Sequence, residues 1–161
     1  MVILLMGVTG SGKTTVGLAL AKSLAWKFAD ADDFHSPANV AKMRAGIPLD
    51  DADRMPWLAA LRSQIDAWRQ SGINVVLACS ALKQAYRDQL MSGPDVKLVY
   101  LHGTQELIAQ RLSQRRGHYM NPDLLLSQFA TLEEPGDALV VDVDNSVDEI
   151  VGCVRRALGL S

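Results

Sequence analysis

Cysteine is nearly absent from this chain. Cys79 and Cys153 are its two copies in 161 residues, and neither has a second cysteine at CxxC spacing. That excludes a disulfide framework and a cysteine-built metal site, and it fits a reducing cytoplasm. Positive charge is not in excess either. Sixteen Lys+Arg stand against eighteen Asp+Glu, a net charge of −2, which excludes a globally basic nucleic-acid binder. Long hydrophobic runs are also missing. The apolar opening Met1–Met6 breaks at Gly7, far short of the roughly 20 residues that span a bilayer. With no basic residues before it, that opening reads as a buried strand rather than a signal peptide. Neither nucleic acid nor membrane is expected as a partner.

What is present is ordinary globular material. At 48% apolar and 21% charged, the chain has the composition of one folded domain. A domain of this size buries roughly 70% of its unfolded surface, enough for a core without staples. Short apolar runs predict strands at Val2–Met6, Lys27–Asp30, Ile73–Cys79, Val96–Leu101 and Ala138–Val143. Between them, helical spacing covers residues 13–25, 37–45, a segment capped by Asp53 and stopped by Gly72, and 81–91 behind Ser80. Further helices run from Thr104 to about Arg116, from Asn121-Pro122 onward, and from the Ser146–Glu149 capping box. This alternation predicts a single α/β domain over 1–161, a parallel sheet with helices on both faces.

The sharpest signal is Gly7-Val8-Thr9-Gly10-Ser11-Gly12-Lys13-Thr14, a full GxxxxGK[ST] between a strand and a helix. Its glycines let the backbone turn tightly and aim successive N–H groups at phosphate oxygens, beside the positive end of a helix dipole. Lys13 then reaches the β- and γ-phosphates of ATP, and the Thr14 hydroxyl serves Mg²⁺. The loop alone does not choose among kinase, GTPase and ATPase. The strand ending at Cys79-Ser80 lacks a following Walker-B aspartate, and no NKxD guanine-reading motif occurs.

Acids instead follow the second strand, as Asp30-Ala31-Asp32-Asp33. Transfer to an alcohol needs a carboxylate near the acceptor hydroxyl and a held Mg²⁺. If the strand continued, Asp30 and Asp32 would point the same way and divide those tasks; a solvated acidic turn is the alternative. Arg111, Arg115 and Arg116 end the fifth helix, before Gly117-His118 and the break at Pro122. They read either as complements to a helix dipole or as a small arginine-bearing lid, about residues 111–122, that excludes water. Trp57 and Trp68 lie on an apolar stripe and read as core. Asp53 reads as a cap rather than a ligand, and Cys79 as packing.

Five blocks carry a family resemblance: Gly7–Thr14; Asp30–His35; Lys42–Leu58; Cys79–Lys83 with Tyr86-Arg87-Asp88; and Arg116–Met120 with Ser127–Glu133. Together they resemble the gluconate kinases (gluconokinases), within the shikimate-kinase and nucleoside-monophosphate-kinase-like P-loop group. One departure is His35-Ser36-Pro37, where that family usually has His-Pro. The resemblance implies ATP-dependent phosphorylation of the 6-hydroxyl of D-gluconate, a five-stranded sheet in the order 2-3-1-4-5, and a homodimer. Other acceptors, such as shikimate or a nucleotide, and a non-catalytic nucleotide-binding module remain as alternatives.

With that resemblance, Asp32 is expected to be the base and Asp30 to sit by the Mg²⁺. Gly7, Thr9, Gly10, Ser11, Gly12, Lys13, Thr14 and Thr15 are expected to hold the nucleotide, with Arg111 on the adenine and Arg115 on the phosphates. Val143, Asp144 and Asn145 are expected to line the adenine pocket through their backbones. Arg54 has the fork geometry that a substrate carboxylate calls for, and Lys83 and Arg87 form a second cationic face. His35 and His118 complete the acceptor contacts.

Overall fold

The computed structural model describes residues 1–114 and 122–160. Strands β1 (Val2–Met6), β2 (Lys27–Asp30), β3 (Val75–Ala78), β4 (Val96–His102) and β5 (Leu139–Asp142) form one sheet in the order β2-β3-β1-β4-β5. Every pairing is parallel, and Val2 is in register with both Val75 and Val96. The helices are α1 (Lys13–Leu24), α2 (Pro37–Arg44), α3 (Asp51–Gln70), α4 (Gln84–Leu90), α5 (Gln105–Ser113), α6 (Pro122–Thr131) and α7 (Val147–Ala157).

Central β1 is wholly apolar because both of its faces are covered, and all five residues have no solvent exposure. Its side chains alternate between two cores. Val2, Leu4 and Met6 pack with Trp57, Leu61, Ile65 and Trp68 of α3. Ile3 and Leu5 face the other way, into a core with Val16 and Leu20 of α1, Ile108 of α5 and Ile150 and Val154 of α7. Among the described residues no helix is long and apolar enough to cross a membrane.

Parallel pairing brings the C-terminal ends of all five strands to one edge of the sheet. From β1 the neighbours diverge, β3 to one side and β4 to the other, and ligand crevices of open α/β sheets form at such a switch point. Gly7 leaves β1 there, Ala31 leaves β2, and Cys79 leaves β3.

Local chemistry corrects several expected boundaries. Asp53 is not the cap of α3. Asp50 is, its Oδ1 accepting from the Asp53 amide at 2.7 Å while Asp53 Oδ2 accepts from the Asp50 amide at 3.1 Å. An aspartate at both ends of a capping box satisfies two orphan donors at once, so the helix begins three residues earlier. Ser80 caps nothing: the chain passes through Ala81 at φ +46° and enters α4 only at Gln84. β2 does not continue past Asp30 but turns into a single 3₁₀ turn, Ala31–Phe34. The alternation expected to align Asp30 with Asp32 therefore does not exist. The added Ser36 has a local task, since its Oγ caps α2 by accepting from the Asn39 amide at 3.1 Å, with Pro37 in the first turn.

Candidate active site

The phosphate loop is built from backbone. Gly10 and Gly12 sit at φ +79° and +95°, where a Cβ is strained. A Cβ on Gly7 would lie 2.5 Å from Ser11 Oγ. The Ser11 amide donates to Val8 O at 3.2 Å, closing a tight turn over Thr9-Gly10. Lys13 arches back over the loop, its Nζ donating to Gly7 O at 2.9 Å and Val8 O at 3.0 Å.

Helix α1 opens without a side-chain cap, as α4 also does. Ser36, Asp50, Thr104 and Ser146 each cap a helix with a side-chain oxygen, whereas Gly12 before α1 has none, and the first turn of α1 carries no acid. Its first intrahelical bond is Val16 N to Gly12 O, so the amides of Thr14 and Thr15 have no acceptor within the helix. Ser11 Oγ, 1% exposed, has no hydrogen-bond partner. The positive end of the helix dipole and a turn cleared by glycines fit a polyphosphate.

The acceptor flank is built from side chains. Asp30 Oδ1 accepts from the Asp32 amide at 2.9 Å, which fixes the acidic turn. Asp32 projects from it, its side chain 74% exposed. Partial loss of hydration in the crevice, then the neighbouring Asp30 carboxylate, push the Asp32 pKa above the ordinary value; His35 and Lys13 pull the other way. Solvent at the exposed carboxylate screens part of each effect. Lys13, Asp30 and Asp32 also all act on the Cys79 thiol at the end of β3, so the three charges share one neighbourhood. Burial pushes that thiol up to about 12, and Cys79 packs rather than reacts.

His35 is held on every side. Its ring stacks on Trp57 with centroids 4.4 Å apart and planes 12° from parallel. Asn39 Nδ2 lies 3.2 Å from Nδ1, so Nδ1 accepts and the proton sits on Nε2, 3.9 Å from Asp32 Oδ1. Burial lowers the His35 pKa, with Asp32 opposing and the Arg54 charge assisting. Trp57 is core, as its stripe position predicts, but it also builds the site. Its Nε1 donates to Ala31 O at 2.7 Å, tying α3 to the acidic turn.

Arg54 and Lys83 meet across Tyr86. The Arg54 guanidinium carbon stands 5.7 Å from the Tyr86 ring centroid and the Lys83 ammonium 5.5 Å, both within cation–π range. Arg54 Nη1 also donates to Tyr86 Oη at 3.3 Å. Asp51 balances this pair, accepting from Tyr86 Oη and from Lys83 Nζ at 3.2 Å. Its hydrogen bonds from Tyr86 and then Lys83 lower its pKa. Two cations against one carboxylate leave a local excess of positive charge.

Arg87 does not join them. It is 1% exposed, and its guanidinium donates to Ala81 O, Leu82 O, Gln84 Oε1 and Glu133 O at 2.7–3.0 Å. These Nη donors pin the loop before α4 to the segment after α6, while the Arg87 Nε is buried without a hydrogen-bond partner. Asp53 likewise is engaged by Lys42 Nζ at 2.9 Å. His102, to which the sequence assigns no partner, has Glu134 Oε1 at 3.7 Å.

Arg111 is half-buried in the last turn of α5. Val143 is 1% exposed after β5, while Asp144 and Asn145 turn back on Asp142. Arg115, His118 and most of the expected lid lie outside the described residues. Asp51, Tyr86, Asn39 and Trp57, to which the sequence reading gives no site role, are in contact with the candidate site residues Lys83, Arg54 and His35. The Tyr86-Arg87-Asp88 run was a signal for one of them. Among the described residues no three His, Cys, Asp or Glu gather as a metal centre. Mg²⁺ needs none, since it keeps waters and takes one or two protein oxygens beside phosphate. The Thr14 hydroxyl and Asp30 supply oxygens of that kind.

Comparison with known proteins agrees with this geometry. Residues 2–135 match the AAA domain family. A probable gluconokinase of Rattus norvegicus is 46% identical, the match covering 98% of this chain and 97% of that protein. The gluconokinase of Gluconobacter oxydans is 50% identical over 84% of this chain and 76% of its own. Among solved structures, a gluconokinase from Sinorhizobium meliloti superposes with a TM-score of 0.84 at 42% identity, covering 98% of this chain and 93% of that one. A complete P-loop between β1 and α1, and relatives this similar along nearly their whole length, place the chain in the gluconokinase family of P-loop kinases.

Proposed function

We propose that this chain transfers the γ-phosphoryl group of ATP to the 6-hydroxyl of D-gluconate, releasing ADP and 6-phospho-D-gluconate. One observation carries the reading. The open Asp32 carboxylate feels the charge of the P-loop Lys13 and stands 3.9 Å from His35, whose ring in turn feels Arg54, and Arg54 and Lys83 flank Tyr86 as a cationic pair. A sugar acid has both of the groups this arrangement suits, a carboxylate for the cations and a distal hydroxyl for Asp32.

The α1 amides and Lys13 hold the β- and γ-phosphates and offset charge as it develops on the leaving oxygen. Mg²⁺ at Thr14 and Asp30 would supply further charge neutralisation. Asp32 accepts the proton of the attacking hydroxyl, and its raised pKa brings its basicity closer to neutral pH. Neutral His35 presents Nε2–H beside it as a donor to a substrate oxygen. Arg54, held against Tyr86, offers a planar fork to the carboxylate, and Lys83 a second charge. From the sequence alone, Arg115 joins the phosphates, His118 the acceptor and Arg111 the adenine, on a lid of residues 111–122. The family resemblance extends the proposal to a homodimer in the cytoplasm, which sedimentation and fractionation check.

The test is ADP release from Mg-ATP with D-gluconate, shikimate, D-glycerate, glucose or AMP added separately. Release with gluconate alone is expected. Release with another acceptor alone would overturn the substrate, and ATP binding without release on any acceptor would overturn the reaction.

A further inference from the structure

The turn at the head of the phosphate loop has an unusual support. Ser11 N closes it onto Val8 O, and the Thr9 amide is left without an acceptor inside the loop. Gln128 of α6, 119 residues away in sequence, fills that gap: its Oε1 accepts from the Thr9 amide at 2.6 Å. From the other side Leu112 of α5 packs on Gly10 so closely that a Cβ there would meet its Cδ2 at 2.8 Å. Helices α5 and α6, which also pack on each other, thus grip adjacent residues of one turn. Gln128 is half-buried on α6, and its neighbours Leu125 and Phe129 pack in the sheet core. Its backbone is therefore fixed, and its amide oxygen is a fixed acceptor.

The geometry points to Gln128 as a positioning residue for phosphoryl transfer. Its side-chain carbonyl satisfies the Thr9 donor and holds the loop in the shape that aims the following amides, from Gly10 to Thr15, at phosphate. An amide oxygen suits this place better than a carboxylate. It accepts the same hydrogen bond without setting a negative charge beside a polyphosphate. Gln128 touches no reacting atom; it acts through Thr9.

The inference rests on the kinase reading for its turnover arm, but its binding arm needs only ADP. The variants are Gln128→Met, which keeps the size and loses the acceptor, and Gln128→Glu, which keeps the acceptor and adds charge. For Gln128→Met, ADP affinity by calorimetry and kcat/KM for ATP are each expected to fall about tenfold, the cost of a partly buried donor left unmade. KM for gluconate is expected to hold, and the Thr9 amide to exchange faster. For Gln128→Glu, ADP binding is expected to weaken progressively as pH rises through the carboxylate range, a dependence that a merely structural contact would not create. ADP binding by Gln128→Met equal to or tighter than wild type would overturn the inference, as would a Gln128→Glu enzyme whose ADP affinity ignores pH. Should the wild type bind ADP yet phosphorylate no acceptor, the kinase reading fails while the binding arm still judges Gln128.

Discussion

The two flanks of the crevice are built by different means. The phosphate side is eight consecutive residues whose backbone does the binding, with glycine required by φ at Gly10 and Gly12 and by space at Gly7. The acceptor side is a set of side chains drawn from the 3₁₀ turn, α2, α3 and α4, none adjacent in the chain. Polyphosphate has the same shape in every P-loop enzyme, so one contiguous backbone motif serves. A sugar acid must be told from its rivals, and that takes separately placed charges and donors.

The comparison breaks most visibly at Asp32. Asp32→Asn is expected to lower kcat by about 10²–10⁴-fold, the usual contribution of a positioned base, with ADP affinity unchanged. Near-normal turnover in that variant, with Asp30→Asn inactive, would reverse their roles. Next comes Arg54→Gln, where loss of a charge-assisted fork should raise KM for gluconate about 10–100-fold and leave KM for ATP alone. Equal rises in both constants would show that the two flanks are not separable.

Arg87→Met sharpens the boundary of the acceptor side. It strips donors from the carbonyls of Ala81, Leu82 and Glu133, so a loss of about 3 kcal/mol is expected, roughly 6–12 °C in Tm. A normal Tm with a KM for gluconate raised as far as in Arg54→Gln would return Arg87 to the substrate set. The mildest effect is in the pH profile. In the proposed role Asp32 works deprotonated, and its pKa is raised, so kcat/KM is expected to fall as pH drops through a value above 3.8, earlier than for an ordinary aspartate. An acid limb at or below the ordinary value would show that crowding and the Asp30 charge do not reach Asp32.

Legibility followed the same divide. The P-loop, the five strands and the helix starts at Lys13, Pro37 and Val147 are written in short-range pattern, and the structure has them there, with β3 and β5 shorter at both ends than the apolar runs Ile73–Cys79 and Ala138–Val143. Asp50 was missed as the cap because either member of an aspartate pair three apart can begin a helix. Ser80 misled because a capping residue before an apolar run looks the same whether or not the next residue turns left-handed, as Ala81 does. One helical turn from Lys83, Arg87 looks in the sequence like a second substrate cation, and α4 turns its Nη donors inward to backbone carbonyls of two segments, Ala81-Leu82 and Glu133.

By itself, then, the sequence determined the sheet, the phosphate loop and the chemistry available to it, because those depend on periodicity, glycine and residues within a turn of each other. Only the tertiary structure decided that Arg54 and Lys83 meet at Tyr86 and Asp51, that Trp57 carries His35, and that Gln128 supports Thr9. Apart from Lys83 on Tyr86, those contacts join residues 22 to 119 positions apart. Their distances are set by how helices pack on the sheet, which no local pattern encodes.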